Sequence, residues 1–257
     1  MVKLLSISAV IGIIVSCSNQ PKEGTISIVS DSLSYESITM MQSMNDCDKD
    51  SSGCTYIEFT YPKFSNASGV LADSLNTMIL NAFGNAEKNL FSPDSVQQDF
   101  LATYTTFKKK EKNYNTPWTV EKSLTVLNQN PKWLTLLYNE NTFTGGAHPN
   151  SYEVYSVIEK SSGRKMILTD FFDSTSMYKL IDLGETQFRS VRGINPNQSL
   201  EDAGYWFENN RFQLNNNFYM HEEGITFFYN TYEIGPYVIG STEITIPANK
   251  LIKLMKK

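Results

Sequence analysis

Histidine is scarce in this chain of 257 residues, which has only His148 and His221. With so few, general-base chemistry at a histidine has two possible sites, and a multi-histidine metal centre lacks its donors. No serine lies in a Gly-x-Ser-x-Gly elbow, and neither His-Glu-x-x-His nor a phosphate-binding loop occurs. Internal repeats, low-complexity tracts and coiled-coil heptads are missing as well. Basic residues are outnumbered, 22 against 27 acidic, for a net charge of −5. Nucleic acid and anionic membrane surfaces call for a basic patch, so neither is an expected partner. The short Lys108–Lys112 run fits a helix C-terminus, where cations suit the macrodipole. A mildly acidic surface instead draws cationic partners. The chain is nevertheless 40% hydrophobic and 12% aromatic, ample for one large domain or two small ones.

Long apolar runs are limited to Leu4–Val15, preceded by the single positive charge of Lys3. That stretch is shorter than the roughly 20 residues of a bilayer-spanning helix and reads as an export signal. Ile14-Val15-Ser16-Cys17 resembles the bacterial lipobox. The resemblance implies lipidation of Cys17, a signal peptide over 1–17, a polar tether over 18–24 and attachment to the membrane through an N-terminal lipid. Ser18 resembles the residue that sorts such proteins to the outer membrane. An ordinary signal peptide ending near a cysteine is the alternative. Loss of the leader removes Lys3 and leaves 21 basic against 27 acidic residues, a net charge of −6.

Cys47 and Cys54 remain as a pair, and in an exported chain the expected product is a disulfide. A loop this short is worth about 2–2.5 kcal/mol on the chain-entropy model, a local staple only. Two sulfurs without a neighbouring histidine make half a zinc site at best. Asp48, Asp50 and Gly53 within the loop have the spacing that opens a calcium loop, but Phe59 stands where the closing glutamate belongs and Glu58 is one residue short. A solvated acidic turn is the favoured reading, and no metal or cofactor is expected.

The middle of the chain organises the rest. Trp133–Phe172 reads as two long alternating strands about the turn Gly145-Gly146-Ala147-His148-Pro149, with a third strand ending at Asp170. Apolar residues fall on both sides of the second strand, as in a sheet whose two faces are partly covered. Before it, Thr25–Ser30, Ser34–Met44 and Thr55–Phe59 alternate as strands, the last ended by Pro62. From Ser68 the period becomes helical through Val70, Leu71, Leu75, Met78, Ile79, Ala82 and Phe83, and a second helix starts at Ser92-Pro93-Asp94. Trp118–Leu127 is a strand, and Ser174 caps a third helix. An asparagine-rich connection, 209–217, leads to strands over 218–221, 225–230 and 243–246 and a helix over 248–257. Strands and helices come in blocks, so the class is α+β: antiparallel sheets with amphipathic helices packed on one face.

At Thr144–Pro149 and again at Tyr232–Gly240, the chain resembles the RsiV-like family, in which a PdaC-type domain precedes the C-terminal domain of a lysozyme-sensing anti-sigma factor. Leu168–Phe172, Gly224–Tyr229 and Glu243–Pro247 fit the second domain. The resemblance implies a PdaC-type domain over 25–165 and an RsiV C-terminal-like domain over 166–257. It also implies an extracytoplasmic module, in one branch a receptor for lysozyme and in another an appendage to a peptidoglycan deacetylase, and the expected function is a non-enzymatic module that binds a lysozyme-like hydrolase or peptidoglycan. No deacetylase domain and no spanning helix after a cytoplasmic segment accompany it.

Candidate contact residues are Gly145, Gly146 and His148 in the first loop and Tyr232, Glu233 and Tyr237 in the second. Gly145 and Gly146 suit positive φ, and His148 either ties down its turn through a backbone hydrogen bond or contacts ligand. The second loop is aromatic and turn-rich, as binding rims are, though its rings could equally pack a strand crossing. His221 reads as a strand-end histidine near a turn. No residue is assigned to catalysis. The rival function is a cell-wall or polysaccharide hydrolase using paired loop carboxylates such as Asp170 and Asp173 or Glu201 and Asp202.

Overall fold

The structure, a computed structural model, describes residues 32–256. The expected strand at Thr25–Ser30, the export segment, Cys17 and the last residue of the expected C-terminal helix lie outside them. The described residues belong to a single compact unit.

Strand β1 (Tyr35–Ser43) pairs antiparallel with β2 (Tyr56–Phe64). Between them Cys47 and Cys54 form the expected disulfide, with Cα atoms 5.7 Å apart. The acidic residues of this loop serve the turn itself: Asp48 Oδ1 accepts the Asp50 N–H, and Lys49 donates to both oxygens of Glu58. Pro62 does not end β2. The pairing of β2 with β3 stops at Thr60, so the segment carrying Pro62 has one neighbour, and a missing donor is tolerated on such an edge.

Helices α1 (Gly69–Phe83) and α2 (Pro93–Lys110) follow, and β3 (Thr119–Gln129) then lies beside β2 in parallel register. The fold is the expected α+β class, and this one parallel pair is the exception in sheets that are otherwise antiparallel. Two helices supply the long crossover that brings the chain back to the end where β2 began, which is what parallel pairing needs. Ser92 caps α2 by accepting the Ser95 N–H, whereas Ser68 precedes α1 without a side-chain cap bond. Strands β4 (Trp133–Phe143) and β5 (Asn150–Glu159) complete a five-stranded sheet ordered β1-β2-β3-β4-β5.

The expected third strand is absent. Lys165 makes one bridge to Ile158, and the chain then winds into the single turn α3 (Leu168–Phe171), because Asp170 reaches back to accept the Ile167 N–H at 2.7 Å. Helix α4 (Ser174–Arg192) is capped by Asp173 and not by Ser174: Asp173 holds the extended N-cap position, from which its carboxylate accepts the Ser176 N–H at 2.8 Å, whereas Ser174 is already the first helical residue. Strands β6 (Phe218–His221), β7 (Gly224–Tyr229) and β8 (Thr242–Pro247) form a second, antiparallel sheet, followed by the short α5 (Ala248–Leu251).

Two apolar cores result. One, beneath α1 and α2, contains Ile57, Phe59, Leu75, Phe83, Leu124, Leu136 and Ile158. The other, between α4 and the three-stranded sheet, contains Leu180, Phe188, Phe212, Phe218, Phe227 and Ile244 and also takes Val157. Adjacent residues of β5 therefore enter different cores, which is why that strand is apolar on both sides.

β5 is the edge of its sheet, and its outward backbone groups need partners in a partly buried setting. Two asparagines of the following segment supply them. Asn230 Oδ1 accepts the Glu153 N–H at 2.7 Å while its Nδ2 donates to the Glu153 carbonyl at 2.8 Å. Asn217 Oδ1 accepts the Tyr155 N–H at 2.7 Å, and its Nδ2 donates to the same Glu153 carbonyl at 2.8 Å.

Truncating either asparagine leaves a backbone N–H of β5 unpaired, so Asn217→Ala and Asn230→Ala are each expected to cost about 1–3 kcal/mol in urea denaturation. The shared acceptor predicts a coupled double mutant, whose loss differs from the sum of the singles by more than about 0.5 kcal/mol; simple additivity would count against a joint cap.

Acid sensitivity follows from two carboxylates. The Arg164 guanidinium, helped by the Ile167 N–H, holds Asp170 below the usual range, and the Ser176 N–H does the same for Asp173. An unfolded aspartate titrates near 3.9, so the stabilisation these groups give is complete above about that pH and is lost as pH falls through their lower folded values. The urea midpoint is expected to drop on that acid limb in the wild type and to drop less steeply in Asp170→Asn; parallel profiles would remove Asp170 from the explanation.

Candidate functional site

The two loops singled out in the sequence meet in space. The β4–β5 turn takes positive φ at Gly145 (92°) and Gly146 (110°), as their role in a tight turn requires. A Cβ on Gly145 would run into the Tyr114 hydroxyl, while the space at Gly146 is open. Tyr114 is itself fixed, accepting the Trp118 indole N–H at 3.0 Å. The turn thus rests on an aromatic support built from the end of α2, where Phe107 meets Tyr114 edge-on at 4.8 Å.

His148 does two things. Its Nδ1 lies 2.9 Å from the Pro149 carbonyl oxygen, which requires the proton on Nδ1. Its ring stacks on Tyr237, with centroids 3.7 Å apart and planes 17° from parallel. Tyr232 stands 5.6 Å from Tyr237 in turn, with 51% of its surface exposed against 42% for Tyr237. Three exposed rings from two distant stretches therefore share one surface, with Val238 almost fully exposed beside them.

The second loop is held rigidly. Arg192, at the end of α4, donates to the Ile239 carbonyl at 2.6 Å and to the Tyr205 hydroxyl at 2.7 Å. A 3-10 turn spans Tyr237–Ile239 and ends at Gly240 with φ 68°. Tyr232 has φ 69°, a left-handed conformation that costs a non-glycine residue roughly 1–2 kcal/mol. Glu233 carries the bracing for it. One carboxylate oxygen accepts the Asn230 N–H at 2.7 Å and the other accepts from Asn215 Nδ2 at 2.7 Å. Glu233 thus braces the loop while its side chain stays on the exposed face with the rings.

The remaining sequence candidates lie elsewhere. His221 Nε2 is 2.8 Å from the Thr226 hydroxyl, on the second sheet. Asp170 forms an ion pair with Arg164 at 2.8 Å, and Asp173 caps α4. Glu201 and Asp202 sit on an exposed turn whose N–H groups are held by Asn210 and Ser199. What sequence reasoning missed is a groove of about 540 Å³ on the helix-side face of β3, β4 and β5, lined in part by Tyr138, Glu140, Tyr152 and Lys165. Its signal was the alternation of these strands, obscured because polar and apolar residues share the face.

Comparison with known proteins bears on both halves. Residues 48–151 match the family model described as deacetylase PdaC, and residues 169–249 match DUF3298, a protein family of unknown function. The chain thus carries a PdaC-type domain followed by a DUF3298 domain. A crystal structure of a DUF3298 family member from Bacteroides fragilis is 25% identical and superposes with a TM-score of 0.65, covering 88% of this chain and 94% of that one. A DUF3298 family protein from Pseudomonas aeruginosa PAO1 is 16% identical, with a TM-score of 0.60 over 88% of this chain and 96% of its own, a likeness of fold alone. No curated protein matches the chain.

Alanine at Gly145 must adopt positive φ and also displace Tyr114, whereas at Gly146 only the backbone strain applies. Gly145→Ala is therefore expected to destabilise by about 1–3 kcal/mol and by more than Gly146→Ala in chemical denaturation; equal losses would show that Tyr114 does not support the turn.

Proposed function

We propose that this chain is an exported lipoprotein, anchored through Cys17, whose paired domains bind an extracellular ligand without chemistry of their own. A lysozyme-like hydrolase is the favoured ligand and peptidoglycan the second. The observation that carries the reading is the exposed Tyr232–Tyr237–His148 cluster. Exposed aromatics on a braced backbone are what binding hot spots are made of, because they bury much area and lose little freedom. Strain at Tyr232, maintained by Glu233 and Asn230, also fits a loop shaped for contact. The net charge of −6 left once the leader is removed, 21 basic against 27 acidic residues, complements a cationic partner, and the resemblance to the RsiV-like family points to the same class.

The test is calorimetric titration of the chain from Ser18 onward against a cationic lysozyme and against soluble peptidoglycan fragments at low and high salt. Saturable binding to lysozyme, weaker at high salt, is expected, with Tyr237→Ala and His148→Ala each losing about tenfold or more. Silence toward both ligands, or unchanged affinity in both variants, would defeat the reading.

A further inference from the structure

The groove on β3–β5 has an order that its strand register imposes. At one end Lys122, Glu140 and Tyr152 stand in a row across the three strands. Leu124, Tyr138 and Val154 form the next row, and Leu136 with Ser156 the one after. Met78 and Ala82 of α1 make one wall. The groove exists because α1 and α2 pack over β1, β2 and β3, and among the described residues no third helix covers the β4–β5 part of this face.

Its charges do not balance. Glu140 lies 3.5 Å from the Lys122 ammonium and accepts the Tyr138 hydroxyl, so its charge is satisfied within the wall. Burial, followed by the Glu140 carboxylate, raises the Tyr138 pKa and keeps that phenol a donor. Lys165 also lines the groove, and no carboxylate among the described residues pairs with it. The residue is solvent-accessible, yet enough protein surrounds its amine that desolvation lowers its pKa. Ser156 and Tyr152 hydroxyls and the Asn81 amide line the same space without side-chain partners among the described residues.

We infer that this groove binds the carboxyl end of a short uncharged peptide, with Lys165 pairing the terminal carboxylate, the Leu124–Tyr138–Val154 row taking small apolar side chains, and Ser156, Tyr152 and Asn81 meeting the amides. A volume of about 540 Å³ lies in the range of small-ligand sites. A carboxylate is the group that Lys165 lacks, and a free amine at that position would face an uncompensated like charge. Such a peptide end could come from a cell-wall stem, which carries D-residues, or from an ordinary protein fragment. This site is separate from the aromatic cluster, and its test does not depend on lysozyme.

The experiment titrates the full chain in lipid nanodiscs with N-acetyl-alanyl-alanine in D,D and L,L forms, with the matching C-terminal amides and with decanoate, following binding by calorimetry. Saturable binding of a peptide acid at least about tenfold tighter than its amide is expected, corresponding to the loss of one charge-assisted contact. Lys165→Met should erase the acid-over-amide preference and Lys165→Arg should keep it. Lys165 pairs with Ile158 through the backbone alone, so both variants are expected to fold. Preference for D,D or L,L supports the site and assigns the source. Equal binding of acid and amide, binding of decanoate without either peptide, no binding at all, or an unchanged preference in Lys165→Met would each overturn the assignment.

Discussion

An edge strand cannot end in nothing. β5 closes the five-stranded sheet, and its outward N–H and C=O groups are covered by two asparagine side chains in place of a sixth strand. An asparagine side chain has the donor and acceptor of a peptide group in one short unit, so it can imitate a neighbouring strand at a single position. Because the two caps come from residues just before β6 and just after β7, the second sheet is fixed against the first at the point where the cap is made. The stacking of Tyr155 on Tyr219, at 4.6 Å, and the entry of Val157 into the second core follow from that docking.

The same attachment explains why the candidate loops meet. Asn230 caps β5 with its side chain and receives Glu233 through its backbone, and Tyr232 and Tyr237 continue from that turn. The other partner, His148, belongs to the turn that opens β5. Once Asn230 is held at Glu153, the second loop starts beside the hairpin, and contact between His148 and Tyr237 needs only a short reach. The strain at Tyr232 is maintained because Glu233 is bonded on both oxygens.

Much of this was legible in the sequence, and for physical reasons. The double-sided apolar character of Tyr155, Val157 and Ile158 announced a strand with a core on each side, and the two glycines of the turn announced positive φ. Local chemistry predicts local structure when the competing signals agree. What failed were features decided by distant partners. The parallel pairing of β2 with β3 depends on the path of two helices, and α3 replaced a strand because one aspartate reached back to an amide. The bracing by Glu233 was hidden because its two partners, Asn215 and Asn230, lie on either side of β7 in the sequence. The groove was hidden for a related reason: its polar row and its apolar row alternate in register across three strands, a pattern visible only once the strands are aligned.

Geometry also constrains how the two surfaces relate. Three residues, the last two in β5, separate His148 at the hairpin tip from Tyr152 at the polar end of the groove, a span of at most about 13 Å. Ten paired positions between β4 and β5 hold the two strands in one register, and a one-residue slip of β5 would turn Tyr152 to the opposite face. A ligand at the tip therefore has little means of reshaping the groove through the strands. Any influence must pass through the side chains that lie between them or through a ligand long enough to touch both. Since the aromatic cluster is open and the groove carries the Lys165 ammonium, the two surfaces also present different chemistry: ring area at the tip, charge and hydrogen-bonding groups on the sheet face.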